Sequence, residues 1–271
     1  MPTPVVSVHP ITLPGLTARV CAPVTGTALP VIVFSHGFGQ SARSYEPLAG
    51  HWAAHGFVVV QPTHPDSRTL NRPLDPDTWR TRITELSRAI DELDALAAAV
   101  PGLSGRVDRT RVAVAGHSWG AQTASTLLGA RTPSGEDFTD PRVSGGVLLA
   151  ITGRGGDDLS PFAAEHFPFM SPDFEGMKTP ALIVAGDHDQ SALSTRGPDW
   201  FTDAYHLSPG AKTLLTLFGA EHSLGGISGY ESAETTDENP ARVALIQRVT
   251  TSYLHGEPLD LDETLGSLTS K

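Results

Sequence analysis

One serine stands in a five-residue pattern that suits nucleophilic chemistry. The pattern is Gly116-His117-Ser118-Trp119-Gly120, which follows an apolar run and opens a stretch of small residues. A strand that turns sharply into a helix holds its serine in strained backbone geometry, and glycines flank it because larger neighbours would clash. The turn projects the hydroxyl above a sheet, at a helix N-terminus whose dipole favours developing negative charge. The pattern therefore predicts a nucleophile elbow, with Ser118 as the nucleophile of an acyl-transfer reaction.

The nucleophile needs a base and an acid, because a serine hydroxyl reacts poorly until its proton is removed. In such sites the chain order is serine, then acid, then histidine. His222 follows the last apolar run and is the predicted base. Two aspartates follow the preceding run, in Gly186-Asp187-His188-Asp189. The spacing favours Asp189 as the acid, because the loop then turns back before presenting the carboxylate. Asp187 is the alternative acid, and its expected role is to cap that turn.

Acyl transfer also needs two backbone N–H groups that point at the developing oxyanion. Trp119, directly after the nucleophile, is predicted to supply one of them. Phe38 is predicted to supply the other, from the turn His36-Gly37-Phe38-Gly39 after an apolar run. The alternative for this run is an ordinary glycine turn without a catalytic role. His36 is expected to shape the loop through hydrogen bonds.

Several further residues are candidates for contact with a substrate. His64 follows a predicted strand at the edge where ligands bind. Trp200 is a large aromatic residue that lies in the chain beyond another predicted strand, residues 181–185. Phe162 and Phe167 lie in the long segment 153–179, which is predicted to form either a partial lid or a wall of the acyl pocket. The alternative is a loop whose aromatic residues pack only locally. The sequence shows no recognised metal-ligand spacing, so neither a metal nor a cofactor is expected.

Short apolar runs that alternate with amphipathic stretches indicate the elements that must position these residues. Strands are predicted at residues 16–22, 30–35, 57–61, 111–115, 146–151, 181–185 and 212–218, and helices at 45–55, 78–100, 118–131 and 240–254. Continuous apolar strands separated by helices imply a mostly parallel sheet that is buried on both faces. Ligands bind at the carboxyl ends of the strands in such sheets. We therefore predict one α/β domain over residues 1–256, followed by a loose C-terminal tail at 257–271.

Composition argues against several classes of partner. The 271 residues include 30 acidic and 19 basic side chains, and the net charge of −11 disfavours nucleic acid and anionic membranes. The single cysteine, Cys21, leaves no partner for an intramolecular disulfide. No apolar stretch approaches the ~18 residues of a membrane span. No signal peptide is visible, so a cytoplasmic location is expected. The sequence does not predict an oligomeric state.

Two stretches of the chain resemble a known superfamily. Residues 30–64, PVIVFSHGFGQSARSYEPLAGHWAAHGFVVVQPTH, and residues 111–120, RVAVAGHSWG, resemble the α/β-hydrolase superfamily. The resemblance covers residues 29–254 and is to the branch of chlorophyllases, platelet-activating-factor acetylhydrolase-like enzymes and cutinase-type polyester hydrolases. Polyester hydrolases of this branch usually carry disulfides, a leader and a methionine after the nucleophile. This chain departs from that pattern with its single cysteine and with Trp119.

The resemblance implies an α/β-hydrolase fold and a serine esterase that acts on a small-molecule ester. It implies a triad of Ser118, His222 and Asp189, with Phe38 and Trp119 as the oxyanion donors. Short to medium acyl chains are expected, because the Phe38 and Trp119 rings should stand beside the ester and narrow the pocket. A lactonase, thioesterase, amidase, cofactor-free haloperoxidase or polyester hydrolase would use the same triad and stays open as an alternative. The alternative from another class is a ligand receptor with slow turnover.

Overall fold

In the computed structural model, which describes residues 2–229 and 235–271, the described part of the chain forms a nine-stranded sheet. The strands are β1 (Val5–Leu13), β2 (Leu16–Pro23), β3 (Leu29–Ser35), β4 (Val58–Pro62), β5 (Val107–His117), β6 (Val143–Leu149), β7 (Ala181–Gly186), β8 (Lys212–Leu217) and β9 (Gly266–Ser270). Their order across the sheet is β1-β2-β4-β3-β5-β6-β7-β8-β9. Strands β3 to β8 are parallel, whereas β1, β2 and β9 pair antiparallel at the two edges. The prediction of a mostly parallel sheet is confirmed.

Helices cover both faces of this sheet. They are α1 (Glu46–Ala54), α2 (Thr78–Asp91), α3 (Leu93–Ala98), α4 (Trp119–Leu127), α5 (Pro161–His166), α6 (Asp203–Leu207) and α7 (Pro240–His255). Successive side chains of a strand point to opposite faces. In β3, Val31 and Val33 therefore pack with α2, α3 and α4, whereas Ile32 and Phe34 pack with α1 and α7. Both faces are buried, which is why the strands are continuous apolar runs in the sequence.

The predicted helix over residues 78–100 is two helices in the structure. Helix α2 ends at Asp91 and α3 begins at Leu93, because Glu92 between them has a ψ of 15°. The buried residues Ile90 and Leu93 continue the three-residue apolar step across this joint. Apolar spacing alone therefore cannot reveal the break.

The C-terminal segment is more regular than the predicted loose tail. Strand β9 pairs antiparallel with β8, and Leu268 lies opposite Leu215. A Cβ atom at Gly266 would lie 2.5 Å from the carbonyl oxygen of Thr216, so the two backbones approach too closely there for any other residue. The segment is polar because an edge strand exposes much of its surface to solvent. Its composition therefore resembles that of a tail.

The ends of four parallel strands bring together the residues that the sequence singled out. Ser118 follows β5, the turn that contains Phe38 follows β3, Asp189 follows β7 and His222 lies in the loop after β8. Parallel strands end at the same edge of a sheet, which is where ligands bind in folds of this class. As for membranes, none of the helices described combines the length and the apolar character needed for a span.

Candidate active site

Ser118 occupies a strained turn between β5 and α4. Its backbone has φ 55° and ψ −123°, a conformation that costs a residue other than glycine about 1–3 kcal/mol. A Cβ atom at Gly116 would lie 2.3 Å from the carbonyl oxygen of Gly120. A Cβ atom at Gly120 would lie 2.0 Å from the carbonyl oxygen of Ser35. Both glycines are thus required by close backbone approach, as predicted, and the serine side chain is held at the sheet edge, half-buried.

Ser118, His222 and Asp189 form one line of hydrogen bonds. His222 Nε2 lies 2.8 Å from Ser118 Oγ, and its Nδ1 lies 3.0 and 3.1 Å from the two carboxylate oxygens of Asp189. An ionised carboxylate only accepts hydrogen bonds, so Nδ1–H donates to Asp189 and Nε2 accepts from the serine hydroxyl. The Asp189 side chain is fully buried, whereas 40% of the His222 side chain is exposed. The arrangement can remove a proton from Ser118 at a position that solvent and substrate can reach.

Burial changes the acidity of Asp189. It raises the pKa of this carboxyl above its usual value, and the hydrogen bond and charge of His222 offset only part of that effect. A buried carboxylate requires a partner that donates a hydrogen bond to it, because an unpaired buried charge costs free energy. Asp189 therefore fixes the orientation of the imidazole by accepting the Nδ1–H of His222.

The other aspartate, Asp187, has a different place. It is exposed, and its Oδ1 accepts a hydrogen bond from the Gly219 N–H at 2.6 Å. This contact ties the loop after β7 to the loop after β8. A Cβ atom at Gly186 would lie 2.1 Å from the Ala220 carbonyl oxygen, so the two loops are in backbone contact. The structure therefore brings Asp189 and not Asp187 to His222, as the spacing in the sequence favoured.

The two residues predicted as oxyanion donors are neighbours across the site. Trp119 is the first residue of α4, where backbone N–H groups have no acceptor within the helix. The ring of Phe38 lies 5.6 Å from the ring of Trp119, measured between centroids. The Phe38 side chain is 44% exposed, but Trp119 is only 2% exposed. The expectation that the Trp119 indole stands beside the ester is therefore corrected, because it packs under the site, on the Arg82 guanidinium and the Phe169 ring.

Arg82, on α2, holds the oxyanion loop from beneath and was not foreseen from the sequence. Its side chain is fully buried, and Nη1 donates to Asp66 Oδ1 at 2.6 Å. Nη2 donates to Ser35 Oγ at 3.1 Å and to the His36 carbonyl oxygen. The other oxygen of Asp66 accepts from the Gly39 N–H at 3.0 Å. The Arg82–Asp66 pair therefore clamps both ends of the turn that contains Phe38.

His64 belongs to this clamp and does not face a substrate. It is fully buried, with Nε2 2.8 Å from Ser35 Oγ and Nδ1 2.6 Å from Glu85 Oε2. Its backbone N–H donates to His36 Nε2 at 2.9 Å. The prediction that His64 contacts substrate is corrected, because both ring nitrogens are used inside the protein. Burial also raises the pKa of Glu85 to about 8.

Trp200 is likewise inside the protein. It is fully buried, and its indole N–H donates to the Arg154 carbonyl oxygen at 2.7 Å. The next residue, Phe201, packs against the ring of His222 with 5.5 Å between centroids. The prediction that Trp200 contacts substrate is corrected, because this side chain packs in the layer behind the base. The burial of an aromatic residue cannot be read from its position after a strand.

The aromatic residues of segment 153–179 reach the oxyanion side of the site. Phe167 is half-buried, and its ring centroid lies 6.3 Å from that of Phe38. Phe162, on α5, is 55% exposed and contacts Phe167 at 5.8 Å. The structure thus places Phe167 beside Phe38 and leaves Phe162 at the outer end of the cluster. The rings of this segment therefore pack beside Phe38 on the oxyanion side of the site.

Cavities of different character open on the two sides of the site. One, of about 650 Å³, is lined by His222 together with the acidic residues Asp187 and Glu221. The other, of about 520 Å³, has a mixed lining that includes two arginines and three apolar residues: Phe38, Asp66, Ser67, Arg68, Asn71, Arg72, Pro73 and Leu74. An ester above Ser118 would therefore meet an acidic surface on the base side and a basic, partly apolar surface on the oxyanion side. No group of three or more metal-binding side chains occurs in the two described ranges.

Comparison with known proteins relates this chain to several ester hydrolases. The family model described as Chlorophyllase matches residues 4–134, which contain the oxyanion loop and the elbow of Ser118. Chlorophyllase-1 of Arabidopsis thaliana is 23% identical over 74% of this chain and 57% of its own. Cutinase est2 of Thermobifida alba is 27% identical over 70% of this chain and 52% of its own. Platelet-activating factor acetylhydrolase of Bos taurus is 29% identical over 38% of this chain and 33% of its own.

These names are those of ester hydrolases, so the resemblance to serine esterases of the α/β-hydrolase superfamily is confirmed. The fold predicted from the sequence, the α/β-hydrolase fold, is confirmed as well. The chain spans 33% to 57% of the length of these three relatives.

Proposed function

We propose that this chain hydrolyses carboxylic esters through an acyl-enzyme on Ser118. The observation that supports the proposal is the line of hydrogen bonds from the Ser118 hydroxyl through His222 to buried Asp189. Such a line activates a serine, because the imidazole takes the proton as the oxygen attacks. Neither a metal nor a cofactor takes part in this chemistry.

The first half of the reaction acylates the serine. Ser118 Oγ attacks the ester carbonyl carbon while His222 Nε2 accepts the hydroxyl proton. The N–H groups of Phe38 and Trp119 donate to the oxygen that becomes negative. Asp189 stabilises the imidazolium formed at His222. The tetrahedral intermediate then collapses, the bond to the leaving oxygen breaks, and Nε2 delivers the proton to the departing alcohol.

The second half releases the acid. Water gives a proton to His222 Nε2 as its oxygen attacks the acyl carbon, and the same two N–H groups stabilise the second oxyanion. Collapse of this intermediate breaks the bond to Ser118 Oγ, which recovers its proton from Nε2. The exposed face of His222 is suited to this step, because water must reach it. Each atom of the site therefore returns to its starting state.

The proposed substrates are small esters with short to medium acyl chains. The supporting feature is the exposed ring of Phe38, which stands at the oxyanion side with Phe167 beside it. Two rings on one side offer apolar contact but limit the length that fits next to the reacting carbon. A hydrophobic pocket grades substrates by about 1–3 kcal/mol for each methylene, so the preference should be gradual.

The experiment that tests the proposal combines labelling with turnover. We expect a fluorophosphonate probe to modify the wild type once and to leave Ser118→Ala unmodified, as read by intact mass. Ser118→Ala should lose at least about 10³-fold in kcat on p-nitrophenyl esters while its thermal unfolding stays unchanged. Ser223→Ala is the matched control, since Ser223 lies beside His222 and lines the same cavity. Full activity in a folded Ser118→Ala variant would refute the proposal.

The same assay separates esters from the other substrates of such a triad. Thioesters, lactones, amides and a polyester film are tested in parallel with the p-nitrophenyl series. We expect kcat/KM to be highest for simple esters. A higher value for any other group would keep the mechanism and reassign the substrate. Tight binding of an ester with a turnover number near zero would favour a receptor.

A further inference from the structure

A buried tyrosine and a buried histidine connect the two loops that flank the nucleophile. Tyr45, which precedes α1, has its hydroxyl oxygen 3.2 Å from the backbone nitrogen of Gly37 in the oxyanion loop. The same oxygen lies 2.8 Å from His117 Nδ1. The other ring nitrogen of His117, Nε2, lies 2.8 Å from the carbonyl oxygen of His222. These contacts form an unbroken path from the residue before Phe38 to the main chain of the base.

The directions of these hydrogen bonds follow from the groups themselves. A carbonyl oxygen only accepts, so His117 Nε2 carries a hydrogen and donates it to His222. A neutral imidazole has one N–H, so Nδ1 must accept, and the donor is the hydroxyl of Tyr45. The Tyr45 oxygen in turn accepts from the Gly37 N–H. Every donor and acceptor in the path is satisfied in a single arrangement, which fixes the tautomer of His117.

The surroundings keep His117 in this neutral form. Tyr45 is 1% exposed and His117 is 6% exposed. Burial, with a smaller effect of the neighbouring His222, lowers the pKa of His117 to about 3, and burial raises the pKa of the Tyr45 hydroxyl. A Cβ atom at Gly37 would lie 3.0 Å from the tyrosine oxygen and 3.3 Å from His117 Nδ1. The loop therefore rests directly on these two polar groups.

We propose that Tyr45 and His117 are positioning residues that hold the oxyanion loop and the main chain of His222 at a fixed separation. The inference rests on the proposed function, since it concerns how that reaction is aligned. The oxyanion donor Phe38 and the base His222 act on opposite sides of the same tetrahedral carbon. An error in their separation weakens both contacts in the transition state and changes binding of the ground state little. A shift of about 1 Å in such a site can cost about 10²-fold in rate.

Substitutions at His117 can cut the path at either end. In His117→Gln the amide Nε2 can replace the imidazole Nε2 as donor to His222, but the contact with Tyr45 is lost. In His117→Asn the shorter amide can accept from Tyr45, but it does not reach His222. Tyr45→Phe removes only the hydroxyl and keeps the ring, which packs against Phe34 at 4.7 Å. The matched control is Tyr253→Phe, which removes a tyrosine hydroxyl from the same apolar layer outside the path.

The test measures kcat and KM separately for p-nitrophenyl acetate, with circular dichroism and thermal unfolding as checks of the fold. We expect Tyr45→Phe, His117→Gln and His117→Asn each to lower kcat by about 5- to 20-fold and to change KM less than twofold. The path acts as one unit, so Tyr45→Phe combined with His117→Asn should cost no more than the larger single effect. Tyr253→Phe should match the wild type.

Three results would overturn the inference. They are an unchanged kcat in folded Tyr45→Phe and His117→Asn, a loss that multiplies in the double variant, and a rise in KM with kcat unchanged. If one variant does not fold, the other two still decide the outcome. An inactive wild type that the fluorophosphonate probe leaves unmodified would instead refute the proposed function itself, so the two failures are distinguishable.

Discussion

The two loops beside Ser118 are each held by an arginine–aspartate pair, but the pairs differ in their surroundings. Arg82 and Asp66 hold the oxyanion loop, and their side chains are both fully buried. Arg242 and Asp237 hold the loop of the base, and their side chains are 8% and 5% exposed. The arginines come from α2 and α7, which lie on opposite faces of the sheet. The two loops that flank the nucleophile are thus held from opposite faces of the sheet.

The pairs also differ in what else they contact. Arg82 extends into a network of buried polar side chains, through Ser35 to His64. Asp237 instead accepts hydrogen bonds from the backbone N–H groups of Glu221 and Gly225, on either side of His222. The oxyanion donors must be fixed before the reaction, because preoriented dipoles need no reorganisation as charge develops. The base must exchange protons with substrate and water, so part of its ring is left exposed, while Asp189 orients the ring and Asp237 holds the main chain on either side of it.

The largest expected effect is on kcat, and it distinguishes the two aspartates of the loop after β7. We expect Asp189→Asn to lower kcat by at least about 10³-fold, because the amide no longer holds Nδ1 of His222 protonated and oriented. Asp187→Asn should stay within about threefold of the wild type, since Asp187 only ties the turn at Gly219. Steady-state kinetics of the two folded variants measure both. The reverse ranking would transfer the role of the acid to Asp187.

The next largest effect is on the free energy of unfolding, and it compares the Arg82–Asp66 pair with the Arg242–Asp237 pair. Removing one partner of a buried pair leaves an uncompensated charge and costs about 3–5 kcal/mol. We expect Arg82→Met to lower the free energy of unfolding by about this amount, and Arg242→Met to lower it by less, because Asp237 keeps two backbone donors. Urea unfolding measures both values. Adding Asp66→Leu to Arg82→Met should recover part of the loss, since the orphaned carboxylate is then gone.

If Arg82→Met and Arg242→Met lower the free energy of unfolding equally, the polar network around Arg82 does not increase the stabilisation by the Arg82–Asp66 pair. A further loss on adding Asp66→Leu would show that Asp66 contributes through the Gly39 contact and not through its charge.

The network around Arg82 shows which parts of the site the sequence could predict. Ser118, Asp189 and His222 were predictable because each follows a strand that local apolar patterns reveal. Arg82 was not, because its hydrogen-bond partners come from β3, from the loops after β3 and β4, and from α4, which are separate parts of the chain. One signal existed, since Arg82 lies three residues after Trp79 and four before Leu86, on the apolar face of the helix.

Other errors in the sequence-based prediction have the same physical origin. His64 and Trp200 were predicted as substrate contacts from their place after a strand, but burial depends on tertiary packing. The sequence predicts a tail where the edge strand β9 lies, because the pairing of β9 with β8 is long-range. The Tyr45–His117 contact likewise joins residues 72 positions apart.

Acid should destabilise the fold through its buried histidines, two of which lie on the oxyanion side. Burial, followed by the charge of Arg82, lowers the pKa of His36 to about 4 from an ordinary 6.5, and the pKa of His64 is also well below 6.5. Below pH 6.5 the unfolded chain takes up protons that the folded protein does not, so stability is lost as the pH falls towards 4. Each such histidine contributes a slope of up to about 1.4 kcal/mol per pH unit.

The measurement is urea unfolding of the wild type at several pH values between 7 and 4. We expect the free energy of unfolding to fall over this range. His36→Gln should reduce the change in this free energy per pH unit by the contribution of one histidine, up to about 1.4 kcal/mol per pH unit. His206→Gln is the control, because His206 is exposed. A slope unchanged by His36→Gln would mean that His36 is not held neutral in the folded protein.

The smallest expected effect concerns substrate length and again separates the two sides. Phe38 is the exposed ring beside Ser118, whereas Trp119 lies buried under it. Phe38→Ala removes a wall of the pocket on the oxyanion side and leaves the backbone donor in place. The ratio of kcat/KM for p-nitrophenyl decanoate to that for the acetate should therefore rise, by no more than about tenfold, since lost apolar contact offsets part of the gained space. Phe162→Ala, at the outer end of the same cluster, should leave the ratio unchanged. If Phe38→Ala does not move the ratio, acyl chains extend instead into the acidic cavity beside His222, and the oxyanion side does not set their length.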